Sequence, residues 1–196
     1  MRMQLKGKKI GFAVTGSHCT IDEIIPQVDR LIAEGADIHP IFSPAVANTK
    51  TRFGSPEKWR KLFEARSSVP IITEIVDAEP IGPKSYLDAI VVAPCTGNTL
   101  AKLANGITDT CVLMAIKAQL RNEKPVILGI STNDGLGLNA KNIGVILNTP
   151  NIFMVPFSQD SPTGKPNSTV AHMNLILETV LKAIEGKQIQ PVITLK

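Results

Sequence analysis

Short apolar runs alternate with segments of helical period along this chain, and that alternation confines it to one class of fold. Strands of a parallel sheet covered on both faces read as nearly unbroken aliphatic runs, and each needs an amphipathic crossover before the next. Runs at 9–14, 37–42, 71–76, 89–93, 125–130 and 152–155 predict six strands. Between the first two, Ile21, Ile24, Ile25, Val28, Leu31 and Ile32 share one helical face that ends at Gly35, and Thr20 with Glu23 has the spacing of a capping box. Ser55-Pro56-Glu57 reads as an N-cap followed by proline in the first turn of a helix reaching residue 66. Further helices are expected over 140–147 and from Ser168 or Thr169 to residue 185, with loops over 78–84 and 157–167. The expected architecture is a three-layer α/β sandwich around a six-stranded parallel sheet, built as a single domain over 1–196.

Composition narrows the function. The 196 residues are 43% hydrophobic, 19% charged and only 4% aromatic, which suits one large aliphatic core. The net charge of +4 comes from scattered residues such as Lys8, Lys58, Arg60, Arg121 and Lys124, so no basic face for nucleic acid is expected. No stretch approaches the ~20 apolar residues of a membrane span, and no membrane partner is expected. Cys19, Cys95 and Cys111 lack any metal-ligand spacing, so no metal is expected, and the small odd count suits a reducing, cytoplasmic location.

Chemistry concentrates after the fourth run. The strand ends at Pro94, and Cys95-Thr96-Gly97-Asn98-Thr99 follows. A helix then starts at Asn98 or Thr99, with Leu100, Leu103, Ala104 and Ile107 on one face. Gly106 interrupts it, and Thr108 or Asp109 caps a second helix over 110–120. One Asn or Thr is enough to cap a helix. The surplus of small polar residues beside free N–H groups and a positive dipole end points to a docked anion or cofactor, phosphate being the commonest. Ligands of open α/β sheets gather beyond the C-terminal strand ends, where the loops at Gly16-Ser17, Ser43 and Ser131-Thr132-Asn133 also arrive. Thr15-Gly16-Ser17-His18 is neither a dinucleotide fingerprint nor a Walker A loop, because the later glycines and the Gly-Lys pair are missing.

The run Ala93-Pro94-Cys95-Thr96-Gly97-Asn98-Thr99-Leu100-Ala101-Lys102-Leu103-Ala104-Asn105-Gly106-Ile107-Thr108-Asp109 resembles the P-A-x-A-N-T-x-A-K-x-A-x-G-x-A-D signature of the homo-oligomeric flavin-containing cysteine decarboxylase superfamily, and the likeness extends over about 8–185. The resemblance implies a flavodoxin-like or Rossmann-like fold, and FMN bound between subunits of a homotrimer or a multiple of trimers. It implies cofactor contacts at Gly16, Ser17, Ser43, Cys95, Thr96, Asn98, Thr99, Ser131, Thr132 and Asn133.

Within that family, Thr15-Gly16-Ser17-His18-Cys19-Thr20, Pro156-Phe157-Ser158-Gln159-Asp160 and Lys165-Pro166-Asn167-Ser168 carry a closer resemblance to one branch. That branch implies a partner resembling a nicotinamide-nucleotide dehydrogenase, and oxidation of a small dihydropyridine-type dicarboxylate. Three departures point away from cysteine decarboxylation. The segment 78–84 has no His, Ser131-Thr132-Asn133-Asp134 stands where the decarboxylases have P-A-M-N, and 157–167 has no Cys. Decarboxylation of a phosphopantothenoylcysteine-type substrate and a non-catalytic supporting role are the alternatives. Carboxylates need cationic partners; Lys165, between Gly164 and Pro166, is the leading candidate, with Lys50 and Arg52 behind it. His18 is the candidate acid or base.

Overall fold

Aliphatic runs without a charged residue inside them become the parallel strands. In the computed structural model, which describes residues 3–195 and so leaves 1–2 and 196 of the expected domain outside the described residues, these are β1 (Lys9–Val14), β2 (Asp37–Phe42), β3 (Ala89–Cys95), β4 (Val126–Thr132) and β5 (Ile152–Met154). They pair in the order β2, β1, β3, β4, with β5 beside the first half of β4. Every residue of β3 is buried, as befits the strand at the centre of this order.

The helices are α1 (Ile21–Ala33), α2 (Pro44–Asn48), α3 (Pro56–Glu64), α4 (Ile75–Ala78), α5 (Ile81–Lys84), α6 (Gly97–Ala104), α7 (Cys111–Arg121), α8 (Ala140–Leu147) and α9 (Ile176–Ile184). One layer packs α1 and α9 on each other and on β3; α7 covers β2, β3 and β4, with α4 and α5 against it. Trp59, Phe12, Phe42 and Phe63 are the largest wholly buried side chains, and Phe63 packs edge-on to Phe42 with centroids 5.1 Å apart. None of these helices is long and apolar enough to cross a membrane.

The α/β class holds, with two local corrections. The segment 71–76 is not a strand: only Ile72 pairs, in an isolated bridge to Ile41, and α4 begins at Ile75. Glu74 interrupts the run and Val76 is 66% exposed, so this stretch cannot be covered on both faces. The neighbouring 78–84, expected as a loop, contributes to α4 and forms the short α5. Among the described residues the parallel set therefore has five strands. The second correction lies at the other edge, where 157–167 forms a hairpin of β6 (Phe157–Ser161) and β7 (Lys165–Ala171). Ser168 and Thr169 belong to β7 and cap no helix; β7 runs antiparallel to the end of β4, placing Thr169 opposite Thr132 and Val170 opposite Ser131. His172 follows β7, ahead of α9, and its Nε2 lies 2.6 Å from Thr194 Oγ1.

Caps show the same mixture. Ser55 Oγ accepts from the Lys58 N–H at 3.3 Å, as expected. Thr20 makes no cap bond, because its hydroxyl turns instead toward Ser131. Thr96 precedes α6 and accepts from the Thr99 N–H at 3.2 Å, so that helix starts earlier than expected. The cap of α7 is Thr110, whose Oγ1 accepts from the Leu113 N–H at 3.3 Å, while Asp109 pairs with Lys102 at 2.6 Å. Replacing Thr110 by Ala is expected to lower the unfolding free energy by about 1 kcal/mol. Thr108→Ala should change it by less than about 0.5 kcal/mol, and urea melts of both variants check the assignment.

Candidate functional site

The C-terminal ends of the central strands are tied together by short hydroxyl side chains. Thr15, the first residue past β1, donates from Oγ1 to the Pro94 carbonyl at 2.7 Å and accepts from the Thr96 N–H at 2.9 Å. Its buried hydroxyl therefore fixes the exit of β3 against the exit of β1. One layer further out, Ser17 Oγ lies 2.8 Å from Ser131 Oγ, and Thr20 Oγ1 lies 3.0 Å from the same atom. These contacts join the β1 turn to the end of β4.

A cleft of about 450 Å³ opens above them. Gly16, Ser17, Thr96, Asn98, Ser131, Thr132 and Asn133 line it, so seven of the expected cofactor contacts are brought together. The cleft also takes in Gly97 and Ala101 of the signature run, with Asp134 and Asn139. At its floor α6 begins, and helix geometry leaves the first N–H groups without acceptors inside the helix. Beside it lies a smaller chamber of about 250 Å³ that shares Ser17, Ser131, Thr132 and Asn133 and is closed by Lys165, Ser168 and Thr169 of β7.

Asp134 stands at the start of α6. Thr132 Oγ1 donates to its Oδ1 at 2.5 Å, and Asn139 Nδ2 donates to Oδ1 and Oδ2 at 2.9 and 2.8 Å. These donors hold the carboxyl below the ordinary carboxylate range, so it is charged at neutral pH. Gly97 has no room for a side chain: a Cβ there would lie 2.8 Å from both Asp134 Oδ1 and Asn139 Nδ2 and would collide with Thr132 Oγ1.

The other expected residues divide. Ser43 caps the end of β2, with its N–H on the Val14 carbonyl at 3.0 Å; it is only 7% exposed, and its buried Oγ has no hydrogen-bond partner. Thr99 is buried and occupied by Thr96, whose hydroxyl donates to it at 3.1 Å. Cys95 is a correction: it is 0% exposed, offers no surface to a ligand, and burial pushes its thiol up to about 12. That thiol is a core group. His18 lines neither cleft; it stands behind Gly16, where an added Cβ would lie 3.9 Å from its Nε2. Its buried Nδ1 has no partner, and burial lowers its pKa below the ordinary imidazole value. Lys165 reaches the smaller chamber, where its Nζ pairs with Asp160 at 3.1 Å. Arg52 lies over the Phe53 ring, 4.8 Å from its centroid, and neither it nor Lys50 lines either cleft.

The contacts of Thr15 and Asp134 are not legible in the sequence, for the same reason. Each acts through a partner distant in the chain, and a Thr after a strand or an Asp in a Gly-rich loop is too common to signal by itself. Among the described residues, no three His, Cys, Asp or Glu side chains gather into a metal-holding group.

Comparison with known proteins places the chain in a family. The B subunit of dipicolinate synthase from Bacillus subtilis (strain 168) is 51% identical over 189 residues, 96% of this chain and 94% of that protein. The crystal structure of the B subunit of dipicolinate synthase from Bacillus halodurans matches with a TM-score of 0.90 at 48% identity, covering 98% of both chains. The FMN-dependent cysteine decarboxylase SpaF shares the fold, with a TM-score of 0.66 at 15% identity over 92% of this chain and 99% of its own. Residues 1–185 match the model of the Flavoprotein family, and this chain belongs to that family.

Proposed function

We propose that this chain is a single flavoprotein-type domain that binds FMN and serves as the B subunit of a dipicolinate synthase. With a dehydrogenase-like A subunit it takes part in oxidising a dihydrodipicolinate-type intermediate to dipicolinate during sporulation. The observation that carries this reading is the likeness to the Bacillus subtilis B subunit over 96% of the chain. A homotrimer or a multiple of trimers, and a cytoplasmic location, belong to the same proposal.

The donor set of the site suits FMN. The hydroxyls of Ser17, Thr96, Ser131 and Thr132 and the amides of Asn98 and Asn133 line one cleft, matching a ligand rich in oxygen and nitrogen acceptors and donors. The buried Ser43 hydroxyl, without a partner in the protein, is the kind of group a phosphate oxygen satisfies. Bound FMN would supply a two-electron acceptor for the hydride that leaves the dihydropyridine ring as it becomes aromatic. A proton leaves the ring as well. The candidate acceptor is His18, which stands behind Gly16 outside both clefts and whose pKa burial lowers further, keeping the neutral imidazole the prevailing form near pH 7. Lys165, at the edge of the smaller chamber, is placed to exchange Asp160 for a substrate carboxylate.

Cysteine decarboxylation fits less well. The α4 and α5 segment carries no His, and the β6 and β7 hairpin carries no Cys. Comparing dipicolinate formation by the A subunit alone with formation by the two together separates a catalytic role for this chain from a supporting one. A marked rise when this chain is added, dependent on FMN, supports the proposal; no rise, or a rise without flavin, contradicts it.

Two variants probe the site directly. Ser43→Ala is expected to weaken FMN at least about tenfold, because a hydrogen bond to a charged group is lost, while the melting temperature stays near that of the parent. Flavin fluorescence quenching reads the change. The pH profile tests His18. The flavin-dependent rate should be flat above its ordinary value of 6.5 and fall on the acid side as the imidazole takes up a proton; His18→Gln should be slow and lack that limb.

A further inference from the structure

The hairpin of β6 and β7 brings Lys165, Ser168 and Thr169 to the smaller chamber, yet little holds it from the sides. β7 rests on β6 and on the end of β4, and among the described residues no helix covers the pair closely. Toward α1, an open cavity of about 420 Å³ lies between Glu23 and Gln27 of that helix and Asp160, Val170 and His172. Within the hairpin the buried hydroxyls of Ser158 and Thr169 have no partner in the protein, which weakens it further.

The roots of the hairpin are held instead by the segment 188–194. Just before the hairpin, Gln188 takes both backbone groups of Met154: its Oε1 accepts from the Met154 N–H at 2.7 Å, and its Nε2 donates to the Met154 carbonyl at 2.7 Å. At the first residue of β6, the Phe157 N–H donates to the Val192 carbonyl at 3.0 Å and the Phe157 carbonyl accepts from the Thr194 N–H at 3.0 Å, a parallel bridge centred on Ile193. The Thr194 hydroxyl then joins the two roots. It donates to the Phe157 carbonyl at 3.4 Å, which leaves its oxygen to accept from His172 Nε2, 2.6 Å away and directly after β7. The His172 N–H in turn donates to the Pro156 carbonyl at 2.8 Å.

Leverage gives these bonds their weight. Lys165 and Ala171 are the two ends of β7, so at the rise of a strand they stand roughly 20 Å apart, and a tilt of about 10° at the root moves the far end by about 3 Å. A binding group must be held within about 0.5 Å of its working position.

We infer that residues 188–194 form a strap that sets the pose of the hairpin, with Thr194 and His172 as positioning residues for the wall of the smaller chamber. Neither side chain lines that chamber; both act through the hairpin roots. The strap follows from these contacts alone, whereas its consequence for substrate, a carboxylate met by Lys165, rests on the function proposed above.

Thr194→Val keeps the shape and the backbone bridge but removes the hydroxyl, and Thr194→Ser restores it. In the full chain, hydrogen exchange of the β6 and β7 amides should quicken about fivefold in Thr194→Val, the loss of one hydrogen bond, while the β3 amides keep the rate of the parent. Assayed with the A subunit, the same variant should raise KM for the dihydrodipicolinate-type substrate at least about threefold with kcat nearly unchanged, the mark of lost binding. FMN affinity should stay that of the parent. Thr194→Ser should return both readouts. His172→Ala should resemble Thr194→Val, and His172→Gln, whose amide donates to the same hydroxyl, should lie close to the parent.

Parental exchange across the hairpin in both Thr194→Val and His172→Ala would overturn the inference. So would an equal quickening in β3, which marks a general loss of stability, or a loosened hairpin with KM unmoved in an active enzyme. Failure of the functional reading has a separate signature: the parent forms no dipicolinate with flavin and the A subunit, yet its hairpin loosens in Thr194→Val and is restored in Thr194→Ser.

Discussion

The hydroxyl of Thr15 is the pin on which the site is hung. β3 is buried along its whole length, so its backbone cannot move without disturbing the core, and whatever leaves its C-terminal end inherits that rigidity. Thr15 bridges the Pro94 carbonyl and the Thr96 N–H, joining this exit to the exit of β1. From that bridge the arrangement spreads outward. Thr96 caps α6, Ser17 and Thr20 reach Ser131 across the strand ends, and Thr132 orders Asp134. The residues most exposed to a ligand, such as Asn98 and Asn133, thus stand on positions set by buried neighbours.

The electrostatics of the cleft are less simple than a helix terminus waiting for an anion. Free N–H groups attract negative charge at the start of α6, while the same cleft is lined by the Asp134 carboxylate, held by Thr132 and Asn139. Donor groups without a carboxylate beside them lie toward β1 and β2, where Ser43 keeps an unused hydroxyl.

Much of this was legible in the order of residues, and the failures have identifiable causes. β1, β2 and β3 are runs with no acidic interruption beyond their first positions, and burial on both faces follows from that alone. The pair Ile71-Ile72 followed by Ile75-Val76 imitates such a run, but Glu74 within it and Asp77 after it require solvent, and the chain bends into α4. β6 and β7 were hidden for the opposite reason. Ser, Thr, Gln, Asn and charged residues make up most of these strands, with only Phe157, Val170 and Ala171 as apolar side chains besides Pro166, and an edge hairpin needs few aliphatic residues because neighbouring hydroxyls and the backbone ladder carry it. At the site, the family signature located the α6 side of the cleft. The contact of Asp134 with Gly97 depends on how two loops fold against each other, and no local pattern encodes it.

Diffraction from crystals grown with FMN tests the central claim most directly, that the ends of β1, β2, β3 and β4 form a flavin site. The account predicts flavin density over Asn98 in the larger cleft, with the phosphate against Gly16, Ser17 and Ser43. Flavin bound elsewhere on the chain, or turned so that its phosphate rests on the first turn of α6, would contradict it.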